Sequence, residues 1–353
     1  MNITMIGLDL AKNVFHVHAI DASGAVVLRR SLRRGQVERF FAALAPCVVG
    51  MEACGGSHHW GRLLQRLGHE VRMMPAHYVK PYVKRNKTDG RDAEAICEAA
   101  SRPTMRFVAI KSEDAQAVLA LHRSRALLVR QRTMTANAVR AGLAEFGIVA
   151  AQGKAGLDAL LKELAAGPQG LPEAARAALS LLAVQWETVD ALVRKLEAQI
   201  ARLARADAAA RRLMEIPGVG PITASMVVAK VPDAGLFDSA RDFAAWIGLT
   251  PRQDSTGGKQ RSVGISKQGD RTLRQLLVLG ATSHLRHARA KGIRDPWLRD
   301  LLARRPAKVV AVALAAKTAR IIWALLETGE RYRAKDLSEN LPEGRHQGLP
   351  AVA

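Results

Sequence analysis

Four carboxylates stand out by type and spacing: Asp9, Glu52, and the pair Asp89 and Asp92, which lie three residues apart and share a face wherever that segment is helical. Gathered in one place they would repel one another, and a divalent cation relieves that repulsion. Carboxylate oxygens suit Mg²⁺ or Mn²⁺, and two such ions about 3.5 to 4 Å apart catalyse in-line displacement at phosphorus. The residues also admit a plainer reading, with Asp9 and Glu52 as ordinary strand-end acids and Asp89 as a helix N-cap. Lys80, Lys84, Arg85, Lys87 and Arg91 favour the first, because they put phosphate-binding charge beside the acids.

A second reactive candidate is Ser255, in the segment from Gly248 to Lys259 that Pro251 and Gly257-Gly258 interrupt. Regular helix is excluded there, and a flexible basic loop is predicted. Between Pro251 and Ala307 thirteen Lys and Arg face four Asp. Arg252, Lys259, Arg261, Lys267 and Arg271 are the nearest candidates for backbone phosphate contacts. A serine hydroxyl is a weak nucleophile alone, yet among cations it could attack a phosphodiester whose developing charge they neutralise. A turn residue or a phosphate-bonding hydroxyl is the competing role. Ahead of it, Ile216-Pro217-Gly218-Val219-Gly220-Pro221 reads as a glycine turn opening a helix. The amides at Gly218 and Gly220 could hold a phosphate, as in a helix-hairpin-helix, or the segment could be a plain interhelical turn.

The elements that must carry these groups follow from periodicity. Ile3 to Asp9, Val14 to Ile20 and Ala25 to Arg30 are predicted as a three-stranded meander with a turn at Asp21-Ala22-Ser23-Gly24. Val37, Phe40, Phe41 and Leu44 form a helical stripe that Pro46 ends, before a strand from Cys47 to Met51. Ser57 is predicted to cap a helix with the stripe Trp60, Leu63, Leu64 and Leu67, and Glu70 to Met74 reads as a fifth strand. With a helix opening at Asp89, this is the element order of a ribonuclease-H-like fold.

Farther on, Trp186, Val189, Val193, Leu196, Ile200 and Leu203 form a coiled-coil seam, and Val118 to Phe146 is amphipathic with Arg123, Arg125, Arg130, Arg132 and Arg140. An intramolecular helical hairpin and a dimerisation arm both satisfy this pattern. Ala150 to Ala183, with turn signals at Gly167-Pro168 and Gly170-Leu171-Pro172, reads as a helical connector with loops.

The chain's 353 residues are 48% hydrophobic, enough for a buried core in two or three domains, and carry a net charge of +21. Such an excess fits a polyanionic partner, nucleic acid first. Cys47, Cys54 and Cys97 form no C-x-x-C pair, so neither a disulfide framework nor a cysteine zinc site is indicated. His58 and His59, adjacent at a helix start, point to different faces and read as surface histidines rather than metal ligands. The first residues do not resemble a signal peptide, and Lys317 and Arg320 interrupt the apolar stretch Val309 to Leu326, so a cytoplasmic protein without a membrane span is expected. Residues 331–353 lack apolar periodicity and read as a disordered tail.

Five blocks, in this order, carry a resemblance: Gly7-Leu8-Asp9-Leu10-Ala11-Lys12; Met51-Glu52-Ala53-Cys54-Gly55; Lys87-Thr88-Asp89-Gly90-Arg91-Asp92-Ala93; Ile216-Pro217-Gly218-Val219-Gly220; and Trp246 through Ser255-Thr256-Gly257-Gly258-Lys259 to Asp270. Over roughly residues 1–330 the chain resembles the DEDD transposases of bacterial insertion sequences. The resemblance implies an α/β plus α protein. Residues 1–110 would form an RNase H-like (RuvC-like) catalytic domain and 111–212 a helical coiled-coil connector. A mostly α C-terminal transposase domain with the helix-hairpin-helix and the essential serine would follow at 213–330.

It further implies that Asp9, Glu52, Asp89 and Asp92 match the metal-binding tetrad and Ser255 the serine that links covalently to DNA. In that family the two sites form a composite centre between protomers of a homodimer or homotetramer. Element ends and target DNA are partners, as is a structured bridge RNA that guides the choice of sequence. A guide RNA accords with strong positive charge, the absence of a zinc finger or basic zipper, and an aromatic content of only 4%. Two other classes satisfy part of the same pattern: a structure-specific DNA junction nuclease with no covalent serine step, and a non-catalytic nucleic-acid-binding protein.

Overall fold

Alternating apolar side chains build the first sheet of the computed structural model, which describes residues 2–83, 89–256, 259–293 and 295–333, with the backbone alone at 89, 253–256 and 259–263. β1 (Met5–Asp9), β2 (Val14–Ile20) and β3 (Val26–Arg33) form the antiparallel meander. The Asp21 carboxylate closes the β2–β3 turn by accepting from the amides of Ser23 and Ala25. β3 runs three residues beyond its predicted end because Leu32, 1% exposed, still reaches the core. After α1 (Val37–Ala42), β4 (Val48–Glu52) pairs parallel with β1. After α2 (Ser57–Arg66), β5 (Glu70–Met74) pairs parallel with β4.

The sheet order β3-β2-β1-β4-β5 is consistent with an RNase H-like arrangement. One residue departs from expectation: Gly56, not Ser57, is the N-cap of α2, and the buried Ser57 hydroxyl instead donates to the carbonyl of Cys54. α3 (Ala76–Val79) is a single turn, and α4 (Asp89–Ala100) follows.

Helices cover both faces of the sheet. Ile6, Leu8, Phe15, Val49 and Met51 pack with Phe41, Trp60 and Leu64 of α1 and α2. Each large side chain buried there contributes about 1.5 to 3 kcal/mol relative to exposure. On the opposite face Ala95, Ile96, Ala99 and Ala100 of α4 pack with Met74 and Val79.

Contacts divide the chain into two units, Met1–Asp114 and Ala115–Ala353. The second is helical: α5 (Glu113–Ala144), whose first turn spans the division, α6 (Lys154–Ala166), α7 (Glu173–Ala206), α8 (Ala208–Met214), α9 (Pro221–Lys230) and α10 (Ala240–Ile247). A hairpin of β6 (Pro251–Thr256) and β7 (Lys259–Ile265) interrupts the helices. α11 (Arg271–Lys291), α12 (Pro296–Arg304) and α13 (Ala307–Thr328) complete the unit.

α5 and α7 lie antiparallel within one chain, with Arg125 paired to Glu197, Arg132 to Asp190, and Gly142 against Leu179. Trp186, Val189, Val193 and Ile200 of the seam are buried, whereas Leu203 is 36% exposed. The core gathers Leu213, Val227, Phe243, Leu277 and Ile322. α13 is long and apolar enough to cross a bilayer, but it buries Val310, Leu314, Ala319, Ile322 and Leu325 in that core, as a core helix does. Of the predicted tail, residues 334–353 lie outside the described residues.

Candidate active site

Strand parity decides where the first two acids face. Gly7 of β1 pairs with Gly50 of β4, and both turn bare backbone toward α4. A Cβ on Gly7 would lie 2.0 Å from the carbonyl oxygen of Ala93, and one on Gly50 would lie 2.6 Å from the Cβ of Ala100. Asp9 and Glu52 stand two residues farther along, so the pleat returns them to the face that carries α4. They end neighbouring parallel strands, one step past the pair Leu8–Met51. Both are half-buried. Their combined field reaches Cys54, whose thiol pKa is raised first by desolvation and then by the charges of Glu52 and Asp9.

Asp92 lies half-buried in the first turn of α4, one residue before the Ala93 that rests on Gly7. Asp89 opens the same helix, its side chain outside the described residues. Among the described residues no group of three or more His, Cys, Asp or Glu lies close enough to hold a metal. The fit to a divalent ion therefore rests on the donor set: Asp9 and Glu52 offer hard oxygen ligands on one face, and α4 carries Asp92 in its first turn.

The histidine expectation is corrected in part. His59 is exposed, but His58 is half-buried, accepts from the backbone amide of Lys111 at 3.2 Å, and has its pKa pushed down to about 4 by burial and by Lys111 and Arg62.

Ser255 sits on a strand and not in the predicted loop, its backbone opposite Gln260 in the β6–β7 ladder. Two glycines between alternating polar segments are a composition that hairpins accept; residues 257–258 lie outside the described residues, as do the side chains of Ser255, Lys259 and Arg261. Arg252 is exposed at the start of β6. Lys267, exposed with φ of +55°, and Arg271, exposed at the start of α11, flank the base.

That base is clamped by residues that no local pattern in the sequence marks as a clamp. Gly248 and Gly269 have positive φ, and added Cβ atoms would lie 2.1 Å from the Gln268 carbonyl oxygen and 1.7 Å from that of Trp246. Arg274 donates to the carbonyls of Ile247 (2.7 Å) and Gln268 (2.9 Å). Asp270 caps α11 through the amide of Leu273 and is ion-paired with Lys230. No local signal marks Arg274 or Lys230, because their partners lie far along the chain.

Among the other candidates, Gly218 has φ of +87° and presses its backbone on Gly280 of α11, while Gly220 caps α9 with open space beside it. Arg91 is half-buried on α4. Lys84, Arg85 and Lys87 lie outside the described residues.

Half-buried carboxylates on neighbouring strand ends offer hard oxygen ligands of the kind that metal-assisted chemistry at phosphorus uses. Comparison with known proteins narrows the class. Residues 6–148 match a family model described as Transposase, of the DEDD IS110 group, and residues 210–301 match one described as Transposase IS116/IS110/IS902 family. A probable family 20 transposase of Pseudomonas aeruginosa is 52% identical over 336 residues, covering 94% of this chain and 99% of its own length. The transposase for insertion sequence element IS1328 of Yersinia enterocolitica is 42% identical, over 93% and 98%. That for IS1111A of Coxiella burnetii is 41% identical, over 94% and 92%. The chain belongs to the IS110/IS116/IS902 family of insertion-sequence transposases. Membership makes it an enzyme of DNA strand cleavage and transfer, and a DEDD domain implies a divalent metal, typically Mg²⁺.

Proposed function

We propose that this transposase cuts and rejoins DNA with two sets of groups: an RuvC-like carboxylate tetrad of Asp9, Glu52, Asp89 and Asp92, and the hydroxyl of Ser255. The observation that carries the reading is the alignment of Asp9 and Glu52 on adjacent strand ends, on the face that α4 covers. Bound at those carboxylates, Mg²⁺ (or Mn²⁺) would supply charge neutralisation at the phosphate and polarisation of its oxygens. The acids hold the ion and orient the strand. Ser255 attacks phosphorus, a serine–phosphate ester forms, and the displaced sugar oxygen leaves as a hydroxyl.

Arg252, Lys259, Arg261, Lys267 and Arg271 hold the backbone around that hydroxyl, while Lys84, Arg85, Lys87 and Arg91 do so around the acids. Gly218 and Gly220 act as a helix-hairpin-helix phosphate contact, with the open space beside Gly220 in support. A structured bridge RNA of the element supplies sequence choice, supported by a net charge of +21. The working form is a homodimer or homotetramer acting in the cytoplasm. Leu181 (73% exposed) and Val184 (61%), apolar residues that α7 leaves uncovered, support self-association.

The test combines purified protein with element RNA, donor DNA and target DNA. Asp9→Asn and Ser255→Ala are each expected to abolish recombinant product. Losing a charge-stabilising ligand worth about 4 kcal/mol at the transition state lowers the rate roughly 10³-fold. EDTA is expected to stop the reaction. Full cleavage by Ser255→Ala would identify a junction nuclease without a covalent step, and full activity in EDTA would remove the metal.

A further inference from the structure

The row of side chains that begins with Glu52 and Asp9 continues across the sheet. Asp9 pairs with His16 of β2, and His16 pairs with Ser31 of β3, so all three share the α4 face. Ser31 Oγ lies 3.2 Å from His16 Nδ1. In the adjoining row Gly7 pairs with His18 and His18 with Arg29, which brings Arg29 to the same face. Here a cleft of about 640 Å³ opens between β2–β3 and the start of α4, lined by His16, Arg29, Ser31, Arg91 and Glu94 among others.

Arginine on an edge strand has a routine use, which is to blunt pairing with other sheets. Arg30 also borders the cleft, but its guanidinium is engaged elsewhere, 5.7 Å from the centre of the Phe40 ring. Arg29 is different, because it converges with Arg91 of a separate element on a concave surface with a hydroxyl and an imidazole. Two guanidinium groups against the single carboxylate of Glu94 favour an anion with several oxygens. The cleft continues the line of acids, so its ligand is an extended polyanion and not an isolated ion.

We infer that this cleft binds a backbone phosphate of the DNA strand being processed, away from the cut. Two interstrand steps separate Asp9 from Ser31, about 9.5 Å. The bound phosphate therefore lies within a few nucleotides of the one at Asp9. This spacing rests on the proposal that Asp9 and Glu52 mark the point of cleavage.

The experiment measures binding of full-length protein to a labelled element-end duplex between 50 and 200 mM salt. Arg29→Gln is expected to reduce the log–log salt slope by about one, a roughly fourfold smaller loss of affinity across that range, while Arg29→Lys keeps the wild-type slope. A neutral methylphosphonate walked along the strand should reproduce that loss in wild type at one position within a few nucleotides of the cut, with no further loss in Arg29→Gln. Arg29 is exposed, so equal unfolding midpoints are expected for variant and wild type.

A wild-type slope in Arg29→Gln, or equal methylphosphonate effects in both proteins at every position, overturns the cleft. Asp9→Asn separates the two ideas. It should bind with the wild-type slope and not cleave; if it cleaves, the acids have been misassigned and the salt slope still decides the anion site.

Discussion

The two proposed reactive groups stand on opposite kinds of scaffold. Asp9 and Glu52 end strands interior to a five-stranded sheet that helices cover on both faces. Ser255 stands on a ribbon of two strands, and such a ribbon is marginal in water without further support. Its support lies at the base, where Gly248, Gly269 and Arg274 lock the chain entering β6 to the chain leaving β7. A whole fold thus positions the acids, whereas a few contacts position the serine. The difference teaches where each can be broken: the first by disturbing a helix seat, the second by loosening a clamp.

The largest effects should come from adding one methyl group to each scaffold. Gly7→Ala drives a Cβ into the Ala93 carbonyl, and Gly269→Ala combines a Cβ at 1.7 Å from the Trp246 carbonyl with φ of +71°. Each should cost about 3 kcal/mol, as overpacking does. Hydrogen exchange should rise across α4 in the first variant and across β6 and β7 in the second; the same pattern from both would erase the distinction.

Arg274→Gln should act more gently, by about 1 to 3 kcal/mol for a charged donor shared between two carbonyls. Faster exchange confined to residues 251–265 is expected, and an unchanged hairpin would show that the glycines suffice. The smallest effect is one of pH. Burial lowers the pKa of His122, which lies 2.9 Å from Ser225 in the second unit, to about 4, and His58 in the first unit is lowered likewise. Both are neutral when folded and protonate near 6.5 when unfolded. Stability is therefore fully present above pH 6.5 and falls as pH drops toward 4, on the order of 1 kcal/mol per pH unit for the deeply buried His122. Denaturant unfolding of His122→Asn should show a flatter dependence across that window.

The sheet and its acids were legible because they obey short periods. Alternation marks β1, β2 and β5, and three-four spacing marks α1 and α2, so the sequence alone puts Asp9 and Glu52 at strand ends. The hairpin was not legible, because a polar ribbon has no apolar face to announce a period of two, and Pro251 with Gly257-Gly258 reads as loop. Its clamp was hidden for another reason: Arg274 meets Ile247 across 27 residues and Lys230 meets Asp270 across 40. Likewise His58 read as a surface residue because its partner, Lys111, lies 53 residues away. Family resemblance pointed to Ser255, where local pattern alone favours a turn residue or a phosphate-bonding hydroxyl.

The flat seat at Gly7 and Gly50 bears on how copies of such a gene age. Two codons decide whether the helix bearing Asp89 and Asp92 can settle, and neither encodes a carboxylate or a hydroxyl. A duplicated element with alanine at either codon would keep all of its acids and its serine, and it would be silent. Surveys that count live elements by their reactive residues alone would then overestimate how many can still jump.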